Sequence, residues 1–260
     1  MALHHFFVDE QVLGDIDDPS FVLRLSADDL KHARVLRLEV GEHIAVIDAA
    51  QDYFECEVVS FTQRALEVCI AQQYSIDDDG PIVGLIQGIA KGSKMDQIIR
   101  QTTELGIRGF IPFASERSQV KLDQTKSQIR VARWRQIAKS AAMQSGRAQI
   151  PDIAQPMSLE EVCSFIASAS AVVICWEEAR SGSIREVLEK ALAALYIEAV
   201  DARVVVVVGP EGGLSEEEVS SLLAANPRAG VASLGSYVLR TETAGVVASA
   251  LVLHELGALQ

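Results

Sequence analysis

The sequence predicts an α/β chain in two parts, a small barrel of short strands followed by a mostly parallel sheet covered by helices. Three observations carry that prediction. Residues 204–208 are five consecutive valines, a run suited to a strand buried on both faces rather than to one with a wet face. That run stops at Gly209-Pro210 and passes through Glu211, Gly212 and Gly213 to Ser215 and Glu218, which hold the S-x-x-E spacing of a capping box. The segment QQYSIDDDGP at 72–81 is polar, acidic and closed by Gly-Pro, and the rhythm of the chain changes across it.

Ahead of that boundary, 6–8, 21–23, 44–47, 53–59 and 65–70 read as short β segments between polar or glycine-containing turns. One helix, opened by Ser26 and Asp28 and running through HARVLRL, interrupts them. Several short strands at such spacing suggest a small barrel. Beyond the boundary, an apolar strand at 82–90 leads to a helix at 93–105 that ends on Gly106, a C-terminal cap. A strand at 110–113 precedes a long helix at 125–145, where Trp134, Ile137, Ala138 and Ala141 share one stripe at i, i+3, i+4 and i+7. A strand at 171–176, a helix at 184–194, the valine strand and the helix after it follow. A short strand at 231–234 and a closing helix at 243–256 complete an alternation that implies a mostly parallel sheet.

The net charge of −13 argues at first against a polyanionic partner, but its distribution reverses that reading. Between Lys91 and Arg147 stand twelve Lys or Arg against four Asp or Glu, a local +8 that leaves −21 on the rest. A positive segment on an acidic protein attracts a polyanion while the remainder repels unspecific contacts. A solvated helix face is the plainer account of any one charge run. No apolar stretch approaches the roughly 18 residues of a membrane helix, and MALHHFFVDEQV lacks the pattern of a secretory signal. Cys56, Cys69, Cys163 and Cys175 are far apart, as expected of free thiols in a reducing cytoplasm. Neither they nor the five histidines have ligand spacing, so no metal is expected.

The GPEGG loop lacks the G-K-[ST] of a phosphate loop and is not G-x-G-x-x-G, and no G-x-S-x-G elbow supports a nucleophile. A second loop at Leu234-Gly235 enters the last helix through Thr241, Glu242 and Thr243. On pattern alone the pair marks a ligand pocket at the carboxyl end of a parallel sheet, although a glycine loop after a buried strand is often only a tight turn.

Taken together, HARVLRLEVGE (32–42), KGSKMDQIIRQTTELGI (91–107), SERS (115–118), SAAMQSGR (140–147), GPEGGLSEEEV and SLGSYVLRTETA closely resemble the RsmE family of SPOUT methyltransferases. The resemblance covers nearly the whole chain. It implies methylation of uridine N3 in 16S ribosomal RNA of the small subunit with S-adenosylmethionine as donor. It also implies an N-terminal PUA-like β-barrel (1–74) that helps hold RNA and a C-terminal SPOUT domain (82–260) whose last third forms a deep trefoil knot. The implied assembly is a cytoplasmic homodimer with RNA near the subunit interface.

Carried over residue by residue, the resemblance places Gly209, Pro210, Glu211, Gly212 and Gly213 on one cofactor loop. Leu234, Gly235, Val238, Leu239 and Thr241 belong to the other, and Trp176 supplies a third wall. For the chemistry, a proton must leave uracil N3, so a base or a cation that stabilises the anionic ring is needed. Arg240 is expected to stabilise that charge and Glu211 or Glu242 to accept the proton, while a helix-dipole role for Glu242 and a loop-bracing role for Glu211 stay open. Expected RNA contacts are Arg34, Arg37, Lys91, Lys94, Arg117, Arg133 and Arg147. Three positions depart from the family pattern. Ser236-Tyr237 stand where Pro-Arg is usual, His4-His5 replace an arginine pair, and Met143 replaces an acid. Another SPOUT activity such as ribose 2′-O-methylation, a non-catalytic RNA-binding protein and a metabolic nucleotide-binding protein are the competing readings.

Overall fold

The computed structural model describes residues 3–14, 16, 18–75, 80–120, 123–179 and 181–259. Lys121 of the basic segment and residues 76–79 of the expected boundary lie outside the described residues. The chain divides into two compact units, one of Met1–Asp78 with Ala142–Gln149, the other of Asp79–Ala141 with Ile150–Gln260.

The first unit holds strands β1 (His4–Phe7), β2 (Phe21–Val22), β3 (His43–Ile47), β4 (Tyr53–Phe61) and β5 (Leu66–Tyr74), with helix α1 (Ala27–Leu36). They form one sheet in the order β1-β3-β4-β5-β2, antiparallel except for the parallel pair β1 and β3. Burial alternates along β4, so Phe54, Cys56 and Val58 face a core with Phe6, Val46 and Leu66. Ser26 caps α1 by accepting from the Asp29 amide. Strand β5 runs on to Tyr74, three residues into the segment expected to be a linker.

The second unit contains β6 (Ile82–Gly88), α2 (Lys94–Leu105), β7 (Gly109–Phe113), α3 (Gln124–Ser145, whose last residues belong to the first unit), β8 (Asp152–Ile153), α4 (Leu159–Ile166), β9 (Ala171–Cys175), α5 (Ile184–Leu195), β10 (Arg203–Val208), α6 (Glu216–Ala225), β11 (Ala229–Ala232) and α7 (Thr241–Glu255). Six strands pair in the order β11-β9-β10-β6-β7-β8, all parallel. The valine run is the centre of this sheet. Val204, Val206 and Val208 enter one core with Trp134, Met95 and Val252, while Val205 and Val207 enter the opposite one with Val162, Val219 and Leu222. A strand buried on both faces has no position for a polar side chain, which is why the run is uninterrupted.

Two elements escaped the pattern reading. The helix α4 is eight residues long, yet Ser158 and Glu161 form a full capping box at its start; the two-residue β8 is too short for any period to register. Helix α7 begins at Thr241, two residues earlier than its apolar run suggests.

Candidate active site

Strand order places the site. Strand β10 lies between β6 and β9, so the carboxyl ends of β9 and β10 and the segment leaving β11 open on the same edge of the sheet. There a cavity of about 410 Å³ is lined by Lys94, Trp176, Glu177, Gly209–Glu211, Gly213 and residues 233–241, within the size range of small-molecule sites. Of the expected cofactor residues, Trp176, Gly209, Pro210, Glu211, Gly213, Leu234, Gly235, Val238, Leu239 and Thr241 line it. Gly212 lies on the same loop but does not line the cavity.

The first loop folds tightly. Gly213 adopts φ +69° and its amide donates to the Pro210 carbonyl at 2.9 Å. A Cβ on Gly209 would stand 2.7 Å from the Gly213 carbonyl carbon, so the two ends of the turn touch backbone to backbone. The indole of Trp176 donates to the Leu214 carbonyl at 3.3 Å and braces the loop from β9. The capping box at α6 forms as expected, with Ser215 Oγ accepting from the Glu218 amide and Ser215 N–H donating to Glu218 Oε2. Glu218 also accepts from the Glu116 amide and Ser115 hydroxyl, which anchors the SERS segment beside the loop. Arg117 in that segment donates to the Gly212 carbonyl at 3.1 Å.

The second loop is held by Ser233, whose hydroxyl accepts from the Gly235 amide and donates to the Gly235 carbonyl. Tyr237 and Val238 are 86% and 83% exposed on the lip of the cavity, and Arg240 is exposed at its margin, directly before α7. Tyr237, where the resemblance led to the expectation of an arginine, is exposed yet also lines the cavity, and Arg240 is the arginine that this loop presents to it.

A charge cluster joins three elements at the mouth. Lys94 Nζ, at the start of α2, lies 3.0 Å from Glu211 Oε1 and 3.3 Å from Glu242 Oε2. Glu211 Oε1 also accepts from the Lys91 amide at 3.0 Å. Burial alone would push the Glu211 carboxyl up, but the Lys91 amide and the Lys94 ammonium outweigh it and hold the group below the usual carboxylate range. The bond to Glu211 correspondingly raises Lys94 against a smaller opposing effect of desolvation. The Cys175 thiol, at the end of β9, is pushed up to about 12 by burial and is inert as a nucleophile.

The cations expected to contact RNA fall into separate groups. Lys94 and Arg117 meet the first loop through their side chains and Lys91 through its backbone amide. Arg133 is ion-paired with Asp96. Arg34, Arg37 and Arg147 belong to the first unit, where Arg34 donates to the Gln63 carbonyl and Arg37 closes α1 with φ 58°. His5 does not stand in for a surface arginine: it is buried, 3.0 Å from the Leu3 carbonyl and 3.3 Å from the Tyr53 hydroxyl. Met143 is buried as well.

Glu177 and Gln87 were missed by the sequence reading. Glu177 lines the cavity, its carboxylate against Gly213. Gln87 is a polar residue inside the apolar strand β6, and that mismatch was the available signal. Among the described residues no cluster of His, Cys, Asp or Glu is fit to hold a metal, and no helix is long and apolar enough to cross a membrane.

Residues 79–253 match the RNA methyltransferase domain family. The ribosomal RNA small subunit methyltransferase E of Bacillus subtilis is 32% identical over 236 residues, which cover 89% of each chain. Among solved structures, ribosomal RNA small subunit methyltransferase E from Neisseria gonorrhoeae bound to S-adenosyl methionine aligns with a TM-score of 0.78 at 26% identity, covering 97% of both chains. A Legionella pneumophila protein solved in complex with the cofactor SAM aligns at 0.79 and 28%, also over 97% of both.

Proposed function

The chain belongs to the RNA methyltransferase family, within its ribosomal RNA small subunit methyltransferase E group, and from that premise we propose that it methylates N3 of a uridine in 16S ribosomal RNA. The donor is S-adenosylmethionine. The observation that carries the reading is the cavity itself, made by the two expected loops at the carboxyl edge of the sheet. Its fit to the donor is supported by the close backbone approach at Gly209 and Gly213 and by the apolar Leu234 and Leu239 in its wall, suited to an adenine ring.

When bound, the donor supplies an electrophilic methyl group on a sulfonium. The chain's part is to position the base in line and to stabilise the charge that develops as N3 loses its proton. We assign that charge to Arg240, an exposed cation at the cavity margin that is ion-paired with no carboxylate among the described residues. Glu211 and Glu242 lose support as proton acceptors. Both face the Lys94 ammonium, and Glu211, held below the usual carboxylate range, is a weaker base for it. They act in this reading as braces that keep α2, the first loop and α7 together.

The first unit serves as a PUA-like barrel that helps hold RNA, and the second is threaded as a trefoil knot. The knot reading draws support from β10 lying between β6 and β9 while α7 returns to pack on α2 and β6. The exposed Tyr237 and Val238 support a homodimer in which a second copy covers the cavity lip. The protein acts in the cytoplasm, in keeping with four unpaired cysteines. The experiment is to incubate the protein and S-adenosylmethionine with small ribosomal subunits lacking the modification, then map the methyl group by nucleoside mass spectrometry. The expected product is N3-methyluridine in 16S RNA; a methyl group on a ribose oxygen, or none, overturns the reading.

A further inference from the structure

We infer that Gln87 is a positioning residue for the donor pocket, and that its carboxamide pins the first cofactor loop to the start of α7. The inference rests on the reading of that cavity as the S-adenosylmethionine site. Gln87 is fully buried near the carboxyl end of β6. Its Nε2 lies 3.1 Å from the Gly209 carbonyl, 2.9 Å from Thr241 Oγ1 and 3.2 Å from the neighbouring Gly88 carbonyl, three acceptors for two N–H groups, so that one hydrogen is shared. The Thr241 hydroxyl in turn donates to the same Gly209 carbonyl at 2.6 Å. Three segments far apart in sequence therefore meet on one amide: a core strand, the GPEGG loop and the first residue of the last helix.

The orientation of the amide follows from its partners. A carbonyl oxygen placed where Nε2 lies would face two carbonyls that can only accept, so the flipped form is excluded. The remaining oxygen, Oε1, is buried without a hydrogen-bond partner among the described residues. Unpaired buried amide oxygens are rare because each is a standing cost, and here the cost accompanies an N–H group turned toward the loop. Gly245 of α7 makes the room, since a Cβ at that position would stand 2.6 Å from Gln87 Oε1. The side chain does not line the cavity, so it acts through Gly209 and Thr241, which do.

Releasing the Gly209 carbonyl lets the loop leave its donor-binding form. Apparent affinity for the donor then falls in proportion to the competent fraction, while the complex, once saturated, turns over nearly as before. That signature separates positioning from mere support of the fold. A destabilised protein loses active fraction and so kcat, with donor KM unchanged.

The test is calorimetric titration of the full chain with S-adenosylmethionine, without RNA, beside donor KM and kcat on ribosomal subunits. Gln87→Met keeps the shape and removes the donor; it is expected to weaken binding on the order of tenfold or more and to raise donor KM more than it lowers kcat. Gln87→Glu restores a donor only when protonated, so its affinity should recover between about pH 9 and about pH 6, a window set by burial of the new carboxyl, whereas Gln87→Met should show no such recovery. Thr241→Val, which removes only the hydroxyl, gives a second reading should both Gln87 variants fail to fold, with an expected loss of severalfold. Wild-type protein that does not bind S-adenosylmethionine refutes the pocket reading. Wild-type binding with unchanged affinity in Gln87→Met, or in Thr241→Val if the former does not fold, refutes the pin, as does a lowered kcat at constant donor KM.

Discussion

The ammonium of Lys94 lies 3.0 Å from Glu211 Oε1, so the first turn of α2 is tied to the cofactor loop by an ion pair at the mouth of the cavity. The same ammonium faces Glu242 at 3.3 Å, and two carboxylates leave it little net charge to offer a phosphate. Each phosphate contact contributes roughly 0.7 to 0.9 to the slope of log affinity against log salt. Lys94→Met should therefore leave the slope for ribosomal RNA almost unchanged, whereas Lys91→Met should flatten it by about that amount if Lys91 contacts phosphate. Binding across a salt series decides; equal flattening in both variants would return Lys94 to the RNA contacts.

Glu211 gives a pH-dependent counterpart. Burial works against its ionisation, but the Lys91 amide and Lys94 leave its folded pKa below the ordinary 4.5. A carboxylate depressed in the fold stabilises it above its unfolded pKa, and that contribution disappears as pH falls through the folded value. The stability difference between wild type and Glu211→Gln in denaturant titrations should thus be present at neutral pH and shrink below 4.5. In methyl transfer, Glu211→Gln should raise donor KM with kcat falling less than about tenfold, since an assisting base is worth about 10²–10⁴-fold. A kcat loss in that larger range would reinstate Glu211 as proton acceptor.

Much of this was legible in the sequence because its causes are local. Ser215 and Glu218 announce a helix start through a capping box that needs only four residues, and five valines reveal a strand covered on both sides. The loops were found for the same reason: Gly213 stands at φ +69°, where other residues are strained. What the sequence withheld depends on strand order. Nothing near Gln87 indicates that residues 209 and 241 converge on it, because that meeting exists only once β10 is inserted beside β6. Likewise Lys94 reads as one more cation in a basic segment until the fold brings Glu211 and Glu242 to it.

Arg240 is expected to act on the reacting base rather than on the donor. Arg240→Ala should reduce kcat by two orders of magnitude or more, the scale of losing one charge-stabilising group, while calorimetry finds donor affinity within about threefold of wild type. Arg240→Lys should recover only part, because a point charge does not reproduce the guanidinium fork. Wild-type-like turnover in Arg240→Ala would remove the assignment.

The two glycines of the first loop should differ in sensitivity. A Cβ at Gly209 meets backbone atoms of Gly213 and Leu214 at 2.7 and 2.9 Å, which cannot rotate away. At Gly213 the obstacle is the flexible end of Glu177, so the cost there is mainly the left-handed backbone, about 1–2 kcal/mol. Gly209→Ala should therefore lose more donor affinity in calorimetry than Gly213→Ala. The reverse order would mean that Glu177, rather than the fold of the loop, governs binding.

His5 carries the last prediction, and it concerns the first unit alone. Its ring is buried, and burial holds its pKa below 6.5 despite the opposing bond to the Leu3 carbonyl, with His4 adding a small depression. The neutral ring fits its neighbours: one nitrogen donates to Leu3 and the other accepts from Tyr53. Below 6.5 the unfolded chain takes up a proton that the folded chain refuses, so stability must fall as pH drops through that value. Denaturant unfolding at about pH 8 and about pH 5.5, either side of the ordinary histidine pKa, should therefore show a loss for wild type. The loss should persist in His4→Gln, whose side chain is exposed, and diminish in His5→Phe. An equal pH response in His5→Phe would place the titrating group elsewhere.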